Sequence, residues 1–174
     1  MPERPTLRVS ARVPHQRPWL SVLILTCLDS LPQMRRCLES IRGTLPDRGV
    51  EVVVGANAPT PALLAWLDAR VADGSVHRLL VGAVNHFKCD MMRWMLEQAR
   101  GEHVWWFDDD SHVTDPAALA AWHGQVLASS PRVVCWGVTC VAPAVAGFRD
   151  NAHAAAWVDS ARWSRGLQIG RAHV

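Results

Sequence analysis

The chain has 174 residues, enough for one ordinary domain that buries roughly 70% of its unfolded surface, and too few for two full ones. With 49% hydrophobic residues, 20% charged residues and a formal net charge of +2, it is neither a disordered tail nor a polybasic nucleic-acid binder. Five cysteines, Cys27, Cys37, Cys89, Cys135 and Cys140, are scattered without a Cys-x-x-Cys pair, which argues against a zinc site or a disulfide framework and makes a reducing, cytoplasmic setting the simplest expectation. Residues 1–18 are rich in Arg and Pro and lack the apolar core of a signal peptide. They read as a flexible arm whose positive charge suits the cytosolic face of a membrane. No stretch approaches the ~20 apolar residues of a membrane span.

From Leu20 onward short apolar runs alternate with helical patterns, which predicts a βαβ succession and a mainly parallel sheet. The first strand is expected over 20–26. Pro32 marks a helix start, and Met34, Cys37, Leu38 and Ile41 recur at helical spacing before Gly43 closes the run. A second strand over 51–55 leads through Ala56, Asn57, Ala58 and Pro59 into a helix bearing Leu63, Leu64, Leu67 and Val71. A strand over 76–81 follows, then a loop over 82–87. The next helix carries Met91, Met92, Met95, Leu96 and Ala99 as one apolar stripe, which is core rather than a cofactor box, and ends at Arg100 and Gly101. The run Val104, Trp105, Trp106 and Phe107 has the character of a buried strand. Beyond it, Thr114 or Asp115 with Pro116 starts a helix to about 129, and residues 132–138 make a fifth strand.

That fourth apolar run stops at Asp108, Asp109 and Asp110, and adjacent carboxylates repel one another unless water or a cation relieves them. If the chain stays extended, Asp108 and Asp110 point one way and Asp109 the other. Two acids so placed suit a hard divalent cation, Mg2+ or Mn2+, bridging them to a diphosphate. The same residues equally suit a solvated turn that caps the next helix. In open parallel sheets ligands gather at the carboxyl ends of strands, so the loops at 26–29, 55–59 and 108–111 should converge on one crevice.

The order of these pieces resembles the nucleotide-sugar-binding half of family 2 glycosyltransferases, which have the GT-A fold: an α/β, Rossmann-like, mainly parallel sheet flanked by helices. The likeness covers residues 20–138 and rests on the opening strand and helix, 20–41, and on Ala99-Arg100-Gly101-Glu102-His103-Val104 leading to the position of that family's Asp-x-Asp motif. It implies an inverting transfer of a sugar from a nucleotide-diphosphate donor to an acceptor hydroxyl of a glycan, lipid or protein. It also implies that Asp108 helps hold the nucleotide sugar and that Asp108 and Asp110 bind Mn2+ or Mg2+ beneath the diphosphate. Asp109 falls between them as a further donor contact. Thr26 matches the loop that cradles the nucleotide. Asn57 aligns with an acidic pair whose first member, Ala56 here, usually contacts the base. The family's Pro-Thr-Tyr-Asn opening is altered to Leu25-Thr26-Cys27-Leu28, and Asp29 stands in for a lost polar contact. Asn85 and Lys88, the latter the only lysine, match the loop and helix start that approach the donor, although a solvated lysine fits as well.

No catalytic base is assigned. Asp150 and Asp159 are the only acids after Asp115, and neither sits in that family's base motif. His112 suits either the metal or a plain surface position, and Trp157 and Trp163 either a sugar platform or core. Residues 168–174 are similar to a translated short-read sequencing adapter, so the expectation is a GT-A domain over 19–167, truncated at its C-terminus, followed by a tail without a structural role. Two other readings stay open. One is a haloacid-dehalogenase-like phosphotransferase with Asp108 as nucleophile and Asp110 as acid; the other is a non-catalytic nucleotide-binding or interaction domain.

Overall fold

The computed structural model describes residues 4–13, 16–45 and 49–113, together with Ala117. The elements expected at 114–129 and 132–138, Asp150, Trp157, Asp159, Trp163 and the tail at 168–174 lie outside the described residues. In chain order the elements are β1 (Thr6–Val9), β2 (Leu20–Cys27), α1 (Leu31–Arg42), β3 (Val50–Asn57), α2 (Pro61–Ala72), β4 (Arg78–Gly82), α3 (Phe87–Gln98) and β5 (His103–Asp108). Together they form a mixed α/β structure. The five-stranded sheet has the order β1-β4-β3-β2-β5, and every pairing is parallel except that of β1 with β4.

Strand alternation sorts the core onto two faces. On one, Leu20, Val22 and Ile24 of β2 and Val50, Val52, Val54 and Ala56 of β3 pack with Met34, Cys37, Leu38 and Ile41 of α1 and with Leu63 and Leu67 of α2. On the other, Leu23, Val53 and Leu80 pack with Met91, Trp94 and Met95 of α3. Three-residue and four-residue spacing in α1 puts its four apolar side chains on a single stripe, so the helix can bury them together. Thr60 starts α2 by accepting the Leu63 N–H at 3.4 Å, and Pro61 occupies the position where a missing N–H costs nothing. Gly55 lets α3 come close, because a Cβ there would lie 2.4 Å from Met95 Sδ and 2.7 Å from Met91 Cγ.

At the amino ends of the strands, a buried polar cluster ties distant segments together. Glu51 accepts from Arg78 Nε at 2.9 Å, from Ser21 Oγ at 2.8 Å and from the Arg100 backbone N–H at 2.9 Å. The Gly101 N–H donates to Ser21 Oγ at 2.8 Å. Burial of a carboxylate is tolerable only with such complete partnering.

Several expectations need correction. Residues 1–18 are not loose throughout: Thr6–Val9 pairs along β4 from Thr6↔Val81 to Val9↔Arg78. Four residues are too short to stand out within an Arg- and Pro-rich stretch, and it is the open edge of β4 that supplies their backbone partners. The buried stripe of α3 is Met91, Trp94 and Met95, while Leu96 is 49% exposed. The apolar run of β5 is only partly buried, with Val104 42% exposed and Phe107 covered, because among the described residues β5 pairs on one side only.

Candidate functional site

The chain winds outward from β2 to β3 to β4 and then returns with β5 to the opposite flank of β2. The winding therefore reverses at β2, where the carboxyl ends of neighbouring strands leave room for a ligand. In the parallel register Leu25 lies beside both Gly55 and Asp108, and β2 and β3 run two residues further, to Cys27 and Asn57, so the three strands end near one another. A cleft of about 300 Å3 opens there, lined among others by Thr26, Asn57, Phe87, Asp108, Asp109 and Asp110.

Asp108 and Asp109 still alternate as an extended chain requires, Asp108 toward Lys88 and Trp106 on the α3 side and Asp109 toward Thr26 on the α1 side, but the chain does not stay extended to Asp110. β5 ends at Asp108, the Ser111 N–H returns to the Asp108 carbonyl at 3.0 Å, and the resulting turn lets all three acids line the cleft. Each has a different environment. Asp108 receives Lys88 Nζ on both oxygens, at 2.8 and 2.7 Å, and Trp106 Nε1 at 3.4 Å. Asp109 is fixed across the β2–β5 boundary: its N–H donates to the Leu25 carbonyl at 3.1 Å, and its Oδ2 accepts from Thr26 Oγ1 at 2.6 Å. Thr26 Oγ1 is also hydrogen-bonded to Ser30 Oγ, a partner that nothing in the local sequence pattern singled out. Asp110 is exposed and makes no hydrogen bond or ion pair with another described residue.

Two thiols register this negative charge. Cys37, on α1, is pushed up to about 12 by burial and then by Asp109, Asp110 and Asp108, so it stays a neutral thiol. Burial and Asp109 also raise Cys27. Neither has the electropositive surroundings of a nucleophilic thiolate.

Asn57, only 2% exposed, turns its amide to the loop ahead of α3. Its Oδ1 accepts from the His86 N–H at 3.3 Å and its Nδ2 donates to the Phe87 carbonyl at 3.2 Å. Asn85 Oδ1 accepts the Phe87 N–H at 2.9 Å. Asp29 is exposed on the loop after β2 and is not among the residues lining the cleft; His112 is exposed beyond the acids. The sequence reading passed over Phe87, whose apolar side chain resembles any helix-start core residue until its exposure is known.

Backbone conformation marks the same end of the sheet. The described non-glycine residues with positive φ are Leu28 (50°), Ala58 (44°) and Phe87 (59°), each just beyond a strand end or at the start of α3. Such residues cost of order 1–3 kcal/mol apiece and persist where surrounding bonds hold them. Here the Leu28 N–H donates to the Asn57 carbonyl at 3.1 Å, the Ala58 N–H to the Gly82 carbonyl at 3.0 Å, and the Thr60 N–H to the Leu28 carbonyl at 3.1 Å. A second cavity, about 180 Å3, lies near the amino ends of the strands beside Arg12, Arg42, Asp73 and His77. Its arginines are already engaged, Arg12 with the Asp73 carbonyl at 3.1 Å and Arg42 with Ser75 Oγ.

Among solved structures, the chain is similar to the mannosyltransferase PcManGT from Pyrobaculum calidifontis in complex with GDP-Man and Mn2+, at 24% identity and a TM-score of 0.60, covering 76% of this chain and 38% of that one. It is also similar to S. aureus TarS, at 21% identity and a TM-score of 0.49, covering 60% of this chain and 19% of that one. No protein-family model and no curated protein matches the chain. The architecture is a GT-A-like glycosyltransferase fold. The chain spans well under half the length of these neighbours.

Proposed function

We propose that this chain carries the donor-binding part of an inverting, family 2-like glycosyltransferase, with a nucleotide sugar bound at the cleft after β2, β3 and β5. The observation that carries the reading is the meeting of Asp108, Asp109 and Asp110 with Thr26 and Lys88 at the reversal of strand order. The GT-A-like fold supports it. The solved mannosyltransferase complex holds GDP-Man and Mn2+, which makes a nucleotide diphosphate with a divalent cation the natural ligand to test.

The donor set suits a hard cation. Among the described residues no group of three or more His, Cys, Asp or Glu side chains is arranged to enclose a metal. Two carboxylates, Asp108 and Asp110, would hold Mn2+ or Mg2+ and leave its other positions to water and diphosphate oxygens. When bound, the cation offsets the negative charge that develops on the leaving diphosphate. Asp109, locked to Thr26 and the end of β2, keeps the turn in place and adds a donor contact. Lys88 brings a positive charge to the side of the cleft formed by the start of α3. Asn57 acts through the loop that it anchors. The acceptor hydroxyl and the base that deprotonates it are not assigned to any described residue.

Calorimetry with GDP and UDP tests the reading. Binding should require Mn2+ or Mg2+ and disappear in chelator, because a diphosphate facing these carboxylates without a cation meets repulsion. Asp110→Ala should abolish the metal-dependent part. Equal affinity in chelator, or an unaffected Asp110→Ala, would refute the metal role.

A further inference from the structure

We propose that Phe87 is a stacking platform for the nucleobase of the bound nucleotide, held ready by Asn57 and Asn85. The proposal rests on the donor-site reading above and adds a residue and a ligand moiety to it. Phe87 is 77% exposed, more than any other described large hydrophobic side chain, although it opens a helix whose other aromatic, Trp94, is buried. Its φ of 59° is a conformation that bulky residues rarely adopt. Core packing therefore explains neither its side chain nor its backbone.

The strained conformation is held by three hydrogen bonds from two asparagines. Asn85 Oδ1 takes the Phe87 N–H at 2.9 Å, Asn57 Nδ2 donates to the Phe87 carbonyl at 3.2 Å, and Asn57 Oδ1 takes the preceding N–H, of His86, at 3.3 Å. Asn57 is itself buried at the end of β3, so the loop is pinned to the rigid sheet. Strain kept in this way, at a residue facing a ligand cleft, is typical of pre-organised binding sites.

The chemistry around the ring selects the ligand. Phe87 lines the same cleft as Asp108 and Asp110, and its neighbour Lys88 is bonded to Asp108. A flat apolar ring beside a cation and carboxylates matches a molecule with an aromatic face at one end and a metal-chelated diphosphate at the other. Every nucleobase has such a face, and stacking tolerates any of them.

Titration calorimetry in Mn2+ with GDP, UDP and pyrophosphate tests this, using the wild-type chain, Phe87→Gly and Phe87→Trp. Glycine removes the ring and accepts positive φ without strain. Phe87→Gly should weaken nucleoside diphosphate binding by about 5- to 150-fold, leave pyrophosphate unchanged within error, and keep or raise the thermal midpoint. Phe87→Trp should retain nucleotide affinity. An unchanged nucleotide affinity in Phe87→Gly, an equal loss for pyrophosphate, or a lowered midpoint with intact binding would overturn the stacking role alone. Failure of the wild-type chain to bind any of the three ligands would instead overturn the donor-site reading, and this proposal with it.

Discussion

Under the proposed metal role, Lys88 and a divalent cation would contend for the same carboxylate. Lys88 Nζ sits 2.7–2.8 Å from both oxygens of Asp108, in a pair about half exposed to water. Exposed pairs are worth about 0.2–1 kcal/mol, so the lysine is a weak competitor that metal can displace. Lys88→Met should therefore strengthen Mn2+ binding in the absence of nucleotide by up to about fivefold. The free-Mn2+ signal in electron paramagnetic resonance reads this directly. Weaker binding of Mn2+ alone in the variant would mean that Lys88 orients Asp108 for the metal instead of competing with it. The acids themselves were legible as residues, because a run of three carboxylates after an apolar strand has few structural uses. Their directions were legible only in part. Alternation holds for Asp108 and Asp109, but it assumes an extended chain, and the turn closed by Ser111 to Asp108 ends that at Asp110.

Among the elements, α3 is the one that connects sheet and cleft. It packs on β3 over Gly55, it opens with Phe87 and Lys88 at the cleft, and the loop that follows it is tied to Ser21 and Glu51. Two glycines, Gly55 beneath α3 and Gly101 in the loop after it, face different obstacles. A Cβ at Gly55 meets flexible methionine side chains, whereas one at Gly101 meets backbone, 2.4 Å from the Ser21 nitrogen and 2.7 Å from the Leu20 carbonyl carbon. Gly55→Ala should then cost about 1–3 kcal/mol, as overpacking usually does, and Gly101→Ala distinctly more. Urea midpoints of the two variants compare them; an equal or smaller loss at Gly101 would show that the α3–β5 loop moves without disturbing the sheet. Periodicity located every described helix to within a few residues. It missed β1, because a four-residue edge strand becomes a strand only when β4 offers it partners.

At the scale of the whole molecule, ligand binding to a folded cleft should be visible as stability. If a nucleoside diphosphate with Mn2+ binds only the native chain, a concentration 100 times its Kd adds about 2.7 kcal/mol, a rise of roughly 5–10 °C in thermal midpoint. Chelator should remove the rise entirely. A shift that persists in chelator would point to a metal-independent site, such as the arginine-lined cavity near the amino ends of the strands. No described helix is long and apolar enough to cross a membrane.

What was readable from the amino-acid order was whatever short-range chemistry controls: the alternation of strands and helices, the parallel sheet, the α1 stripe of Met34, Cys37, Leu38 and Ile41, and the acidic stop after Phe107. Each arises among residues a few positions apart, where propensity and periodicity act. The working arrangement of the cleft arises from contacts between residues far apart in the chain. Thr26 meets Asp109 across 83 positions, Asn57 meets Phe87 across 30, and Lys88 meets Asp108 across 20. No local pattern encodes those meetings. They follow from the strand order and parallel register, which bring separate loops near one another and leave Phe87 outside the core.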